Sequence, residues 1–142
     1  MSGSDIITLY LDDNAENGAT ILLGSGSSMT GVDVYANTLI LRNESGSTTV
    51  TTSHIDTADD IGDINITPEV YTLSGTILTL SGSTQLLVWS GTTFQPSDIV
   101  SVGSLTIGMG SLMTASGTAM IVNGPMTVYG TFDQATTPLS VA

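Results

Sequence analysis

The sequence predicts an all-β protein of short, Gly-punctuated strands, wound as a β-solenoid or interlocked as a β-sandwich, with little or no helix. Three observations carry that prediction. Gly103, Gly110, Gly117 and Gly124 fall seven residues apart, opening the segments GSLTIGM, GSLMTAS, GTAMIVN and GPMTVYG. A glycine at every seventh position costs an α-helix about 1 kcal/mol each time, which excludes a heptad coiled coil and leaves a strand plus a two-residue corner as the repeat. Residues 99–132 carry no charge, and charged residues make up only 10% of the chain, with 18 Ser and 23 Thr supplying its polarity. A hydrophobic content of 40% and a mean hydropathy of +0.33 exclude intrinsic disorder.

The elements follow in order. Residues 5–11 (DIITLYL) alternate and are β-branched, a first strand closed by the turn DDNAENG. ATILL is a second strand, and GSGSSMTG a Gly/Ser loop. Residues 32–42 hold two short alternating runs, NESGS is a turn, and TTVTTSHI continues as a Thr-rich strand. The acidic stretch 56–65 marks a boundary near 56–68, dividing an acidic part (1–67) from a neutral, seven-residue-patterned part (68–142), the two being compatible with one continuous domain. Only AENGATILL and the DTADD region can hold a helical turn, and neither has an amphipathic stripe. After Pro68 the pattern takes over, with Gly75 and Gly82 opening GTILTLS and GSTQLLV.

In a solenoid, three such segments make one coil of about 21 residues around a shared core. The expected inward pairs are Leu105/Ile107, Ala119/Ile121 and Met126/Val128, while Thr114 falls where an apolar residue is expected. Glycine turns joining antiparallel strands are the competing architecture. Four segments make little more than one coil, so neighbouring chains are expected to cap the exposed edges.

The chain has no Lys, one Arg and thirteen acids, for a net charge of −12; eleven acids lie at or before Glu69. Such a chain does not neutralise phosphates, which argues against nucleic acid and against an anionic membrane surface. Cysteine is absent, so neither a disulfide nor a thiolate metal site is expected. The start, MSGSDIITLYLDD, lacks the basic and apolar regions of a signal peptide, and Gly, Ser and Thr interrupt every uncharged stretch that could span a bilayer. The first ten or so residues are expected to form an arm.

No catalytic, cofactor-binding or metal site is expected. His54, the only histidine, invites a reading with Ser53 and Asp56 as a catalytic set, but neighbouring strand residues diverge to opposite faces, so His54 is expected at a surface or interface. Asp12, Asn14 and Glu16 alternate as oxygen ligands of calcium do, yet Asn17 stands where an EF-hand loop needs glycine; an Asx-rich turn explains the same letters. Asp56, Asp59, Asp60 and Asp63 read as a solvated loop or a patch for a basic partner. Gly24 and Gly26 lack the lysine of a phosphate loop. Arg42 has Asp33 and Glu44 as local partners or serves as an interface anchor, Trp89 is expected in the core or a subunit contact, and the six Met fill irregular gaps.

The segments LTLSGST, GSLTIGMG and AMIVNGPMTVYGTF resemble the glycine-punctuated strands of β-helical tailed-phage virion proteins, both fibre and spike modules and the small capsid decoration (cement) proteins. The likeness spans residues 75–132 and lies in the strand-and-glycine pattern, so no site residue is carried over. It implies a non-enzymatic structural protein that binds the major capsid protein or another virion protein, stabilises the phage head as a homotrimer, and is assembled in the host cytoplasm. The alternative it leaves is a fibre or adhesin-type module binding a receptor or glycan.

Overall fold

Strands here are two to six residues long, and most alternate an apolar residue with Thr, Ser or another outward side chain, so a single strand buries almost nothing. Stacking identical turns of chain turns that alternation into a continuous core. The computed structural model describes residues 5–13, 15–46, 48–59, 63–117 and 119–142. In it, β1 (Ile6–Tyr10) and β2 (Gly18–Leu23) form an antiparallel hairpin, and a loop over residues 24–37 leads to β3 (Thr38–Asn43). β4 (Val50–Thr51) runs directly into α1 (Thr52–Asp59), after which β5 (Tyr71–Ser74) and β6 (Ile77–Leu80) make a second hairpin. Three plain coils follow: β7 (Gln85–Val88), β8 (Thr93–Gln95) and β9 (Val100–Val102); β10 (Ser104–Ile107), β11 (Leu112–Thr114) and β12 (Met120–Val122); β13 (Met126–Val128), β14 (Thr131–Asp133) and β15 (Leu139–Val141).

Three sheets form the walls. Sheet A stacks β1-β2-β3-β7-β10-β13, sheet B β4-β8-β11-β14, and sheet C β5-β6-β9-β12-β15. Every pairing is parallel except the two hairpins. The chain is therefore a β-solenoid wound within itself. Leu86, Leu105 and Met126 are register partners, 19 and then 21 residues apart, which matches the expected coil. The core columns are Ala19–Leu39–Leu86–Leu105–Met126 and Ile21–Leu41–Val88–Ile107–Val128 in sheet A, Val50–Phe94–Met113–Phe132 in sheet B, and Leu78–Val100–Met120–Leu139 in sheet C. Except in the last coil, all of these side chains are buried.

The heptad spacing of glycines is the coil's corner spacing. Gly103 and Gly124 occupy the same C-to-A corner in successive coils, and a Cβ on Gly124 would stand 2.7 Å from the Gly103 carbonyl oxygen. Gly117 turns the B-to-C corner with its Cα against the Asp98 backbone, and Gly110 turns the A-to-B corner at φ +70°. Corner Thr and Ser side chains cap the backbone between coils: Ser111 Oγ donates to the Trp89 carbonyl (2.6 Å), and Thr137 Oγ1 to the Gly117 carbonyl (2.9 Å).

Several expectations are corrected. Leu105 and Ile107 point inward, but in the next segment Met120 and Val122 do so, not Ala119 and Ile121. Met113 takes the inward position of its strand, leaving Thr114 outside. The corners span unequal lengths (108–111, 115–119 and 123–125), and one residue of slip moves a whole strand to its other face. The expected shortfall of coils disappears, because the acidic part also stacks strands, β1, β2 and β3 into sheet A and β4 into sheet B. Residues 32–37 are loop, the AENGATILL segment forms strand rather than helix, and Gly75 turns the β5–β6 hairpin rather than a solenoid corner. TTVTTSHI forms strand only at Val50–Thr51. From Thr52 onward it is helix because Thr52, Ile55 and Ala58, three apart, are the residues that meet the core, a spacing a strand cannot bury on one face.

The two ends of the solenoid differ. At the amino-terminal end, α1 lies beyond β4 while Ile55, Ala58, Ile66, Val70 and Tyr71 seal the core. At the carboxy-terminal end nothing among the described residues covers β13, β14 and β15.

Candidate functional site

The catalytic reading of His54 gives way to a structural one. Thr51 precedes α1 and His54 is its third residue, so the imidazole reaches back to the cap: the Thr51 N–H donates to His54 Nδ1 (3.0 Å), with the Thr51 hydroxyl 2.9 Å from the same atom. This is the reciprocal half of a capping box, made by His in place of Glu or Gln. Partial burial lowers the imidazole pKa, which keeps Nδ1 free to accept. Ser53 and Asp56 are exposed on the helix, and the Ser53 carbonyl accepts from the Thr57 hydroxyl (3.0 Å).

The two acidic stretches, far apart in sequence, meet across Asn65. Its Nδ2 donates to Asp12 Oδ1 (3.1 Å) and Asp63 Oδ1 (3.0 Å), and its Oδ1 accepts from the Asp13 N–H (3.3 Å). The Asn65 N–H also donates to Asp63 (2.9 Å), as does the Tyr10 hydroxyl (2.8 Å). These bonds hold the Asp63 carboxyl below its ordinary range, while the Asp63 bond and charge, with burial, push the Tyr10 phenol up. Asp59 accepts from the Thr67 hydroxyl. Asn14 and Asp60 lie outside the described residues. Among the described residues no three His, Asp or Glu side chains converge as metal ligands would. Sequence reasoning missed Asn65, whose only signal was an Asx residue inside an acidic turn.

Arg42 pairs with Glu44, the nearer of its two expected partners. Its guanidinium also donates to the Thr30 (3.1 Å) and Gly31 carbonyls and lies 5.5 Å from the centroid of the Trp89 ring. With Thr20 Oγ1 donating to the Asp33 carbonyl (2.6 Å), it holds the 24–37 loop against the outer face of sheet A, where Leu22 and Ile40 are buried. Trp89 and Tyr129 stand on the same corner two coils apart, with Gly108 between them; Tyr129 is 69% exposed and the adjoining Met109 75%.

Two surfaces remain that could meet a partner. One is the outer face of sheet C. Its register column Thr79–Ser101–Ile121–Ser140 is uncharged, and Ile77, Ile99 and Ala119 lie beside it. The other is the open last coil. There Met126, Phe132 and Leu139 pack on the coil below but have no coil above, and Val128 and Val141 are 43% and 50% exposed. Parallel pairing alternates which side a residue's backbone groups face. Tyr129 N–H donates to Ile107 and Leu105 N–H to the Pro125 carbonyl, so the N–H and C=O of Met126 and Val128 point away from β10 along the open edge. Apolar side chains and unpaired-edge backbone thus come from the same residues. No family model, curated protein or solved structure matches the chain.

Proposed function

We propose that the protein is a non-enzymatic structural component of a tailed-phage particle, a decoration or cement protein carried on the head, which it joins in the host cytoplasm. The outer face of sheet C carries this reading. It is uncharged in a chain of net charge −12, mixes hydroxyl and aliphatic columns, and sits on a rigid coil stack, as a surface that buries against a protein lattice requires. The acidic amino-terminal end supplies the complement to a basic patch on such a lattice. His54, on which the catalytic reading with Ser53 and Asp56 turned, serves a helix cap.

The test is co-sedimentation of the purified chain with phage heads assembled without it. Binding that survives Ser27→Arg, on the outer loop, but is lost in Ser101→Arg, at the centre of sheet C, supports the reading. Failure of the unmodified chain to sediment with heads removes it. A glycan-binding module is the second reading, favoured by the corner where exposed Met109 and Tyr129 adjoin the half-buried Trp89. Quenching or enhancement of Trp89 emission by an oligosaccharide, absent in Tyr129→Ala, would support that module over the cement role.

A further inference from the structure

The geometry points to a second copy of this chain as the occupant of the open carboxy-terminal end, joined about a two-fold axis through Thr127. This contact goes beyond the particle role and does not depend on it.

Three features select that occupant. First, the end is neutral in the middle of a strongly acidic molecule: β13, β14 and β15 carry only Asp133, which points outward and accepts from the Ala135 N–H (3.0 Å). A chain with no lysine and an already paired arginine offers no cationic surface, so a copy approaches through a neutral one, and of the neutral surfaces this end alone joins an open strand edge to half-covered core side chains. Stacking carboxy-terminal end on amino-terminal end is blocked, because α1 covers that core and Asp12, Asp13 and Asp63 surround it. Second, β13 is self-complementary. A two-fold axis at Thr127 sets Met126 opposite Val128 of the other copy, and these are the residues whose N–H and C=O face the open edge. Each such pair exchanges two backbone hydrogen bonds, extending sheet A across the junction as an antiparallel pair. Third, the same axis lays sheet B of one copy over sheet C of the other. Phe132 of each copy then covers Leu139 and Val141 of its mate, and the half-covered core becomes shared.

Such a contact closes on itself, since using both open ends leaves only the two capped, acidic ones. It sets a stoichiometry of two, where the resemblance to decoration proteins implies three. One coil of three-residue strands is a small interface, so the association is expected to be micromolar or weaker.

The experiment is sedimentation velocity from micromolar to sub-millimolar protein, with two variants. The unmodified chain is expected to pass from monomer to dimer, and Val128→Asp, which sets two carboxylates at the junction, to raise the dissociation constant at least about tenfold. Because Val128→Asp could disturb the last coil, Thr127→Cys gives an independent reading in a chain without cysteine. Directly opposed Thr127 positions form a non-hydrogen-bonded pair with Cα atoms about 4.5 Å apart, within disulfide reach. Mild oxidation is expected to link Thr127→Cys into a dimer far faster than Ser27→Cys on the outer loop. A chain that stays monomeric throughout, a trimer indifferent to Val128→Asp, or equal cross-linking of the two cysteine variants would each overturn the proposal.

Discussion

At the scale of single residues, the molecule places Arg42, His54 and Asp63 in structural posts. The chain's one arginine holds a loop, a carboxylate and its one tryptophan at once, so it reports on itself. Arg42→Ala is expected to lower unfolding free energy by about 1–3 kcal/mol, from hydrogen bonds to a charged group and a ring contact. It should also shift Trp89 emission to the red as the 24–37 loop loosens; Arg42→Lys should recover only part of the loss, since a compact ammonium lacks the planar fork that reaches Glu44 and the Thr30 and Gly31 carbonyls together. His54 predicts a pH effect of definite sign. Its folded pKa is lowered, so the unfolded chain binds the proton first: stability is full above the ordinary imidazole pKa of 6.5 and falls as pH drops through it towards the folded value. Asp63, also lowered, keeps its contribution above the ordinary carboxylate range and loses it as pH falls through its folded pKa. Denaturant melts from pH 8 to pH 3 should show both slopes, with His54→Gln removing the first and Asp63→Asn the second.

At the scale of elements, the glycines divide into two kinds that look alike in sequence. A Cβ at Gly117 would stand 2.2 Å from the Asp98 carbonyl oxygen, and one at Gly103 2.4 Å from the Ser83 carbonyl carbon, so the stacked corners must part. Gly110 has open space but φ +70°. Gly117→Ala is therefore expected to cost more than about 3 kcal/mol, and Gly110→Ala about 1–2 kcal/mol. Gly110→Asn should recover part of the smaller loss, because Asn tolerates the left-handed region; thermal denaturation of the three variants decides it. The regular glycines are also what made the solenoid legible before any coordinates: three corners, seven residues each. Which residues faced inward was legible in GSLTIGM and not in GTAMIVN, because glycine spacing fixes the corners without fixing strand phase between them. The helix was hidden for a related reason. TTSHI is β-branched and Thr-rich, and only the core seen by Ile55 and Ala58 rewards the helical spacing. The Asn65 junction was hidden because it joins Asp12 to Asp63 across a fold, and no local pattern encodes a contact of that separation.

At the scale of the whole molecule, stability runs along the stack. Each coil leans on its neighbours, so central coils are held from both sides and the last from one. Hydrogen exchange in dilute solution should be slowest at Leu86 and Val88, whose amides bond between inner coils, faster at Leu105 and Ile107, whose amides bond to the last coil, and fastest among the strands at Met126 and Val128. Raising the protein concentration should slow those two amides selectively if the two-fold contact forms. Uniform protection along sheet A would contradict this gradient.

The superposition of Gly124 on Gly103 has a further consequence. Two corners with the same backbone surroundings are interchangeable ends, so residues 103–123 form a cassette that begins and finishes in the same local geometry. Copying that cassette once in tandem would leave every existing contact in place and lengthen the rod by one strand spacing, about 4.8 Å. In this architecture molecular length is counted rather than designed, and a gene can adjust it in whole steps.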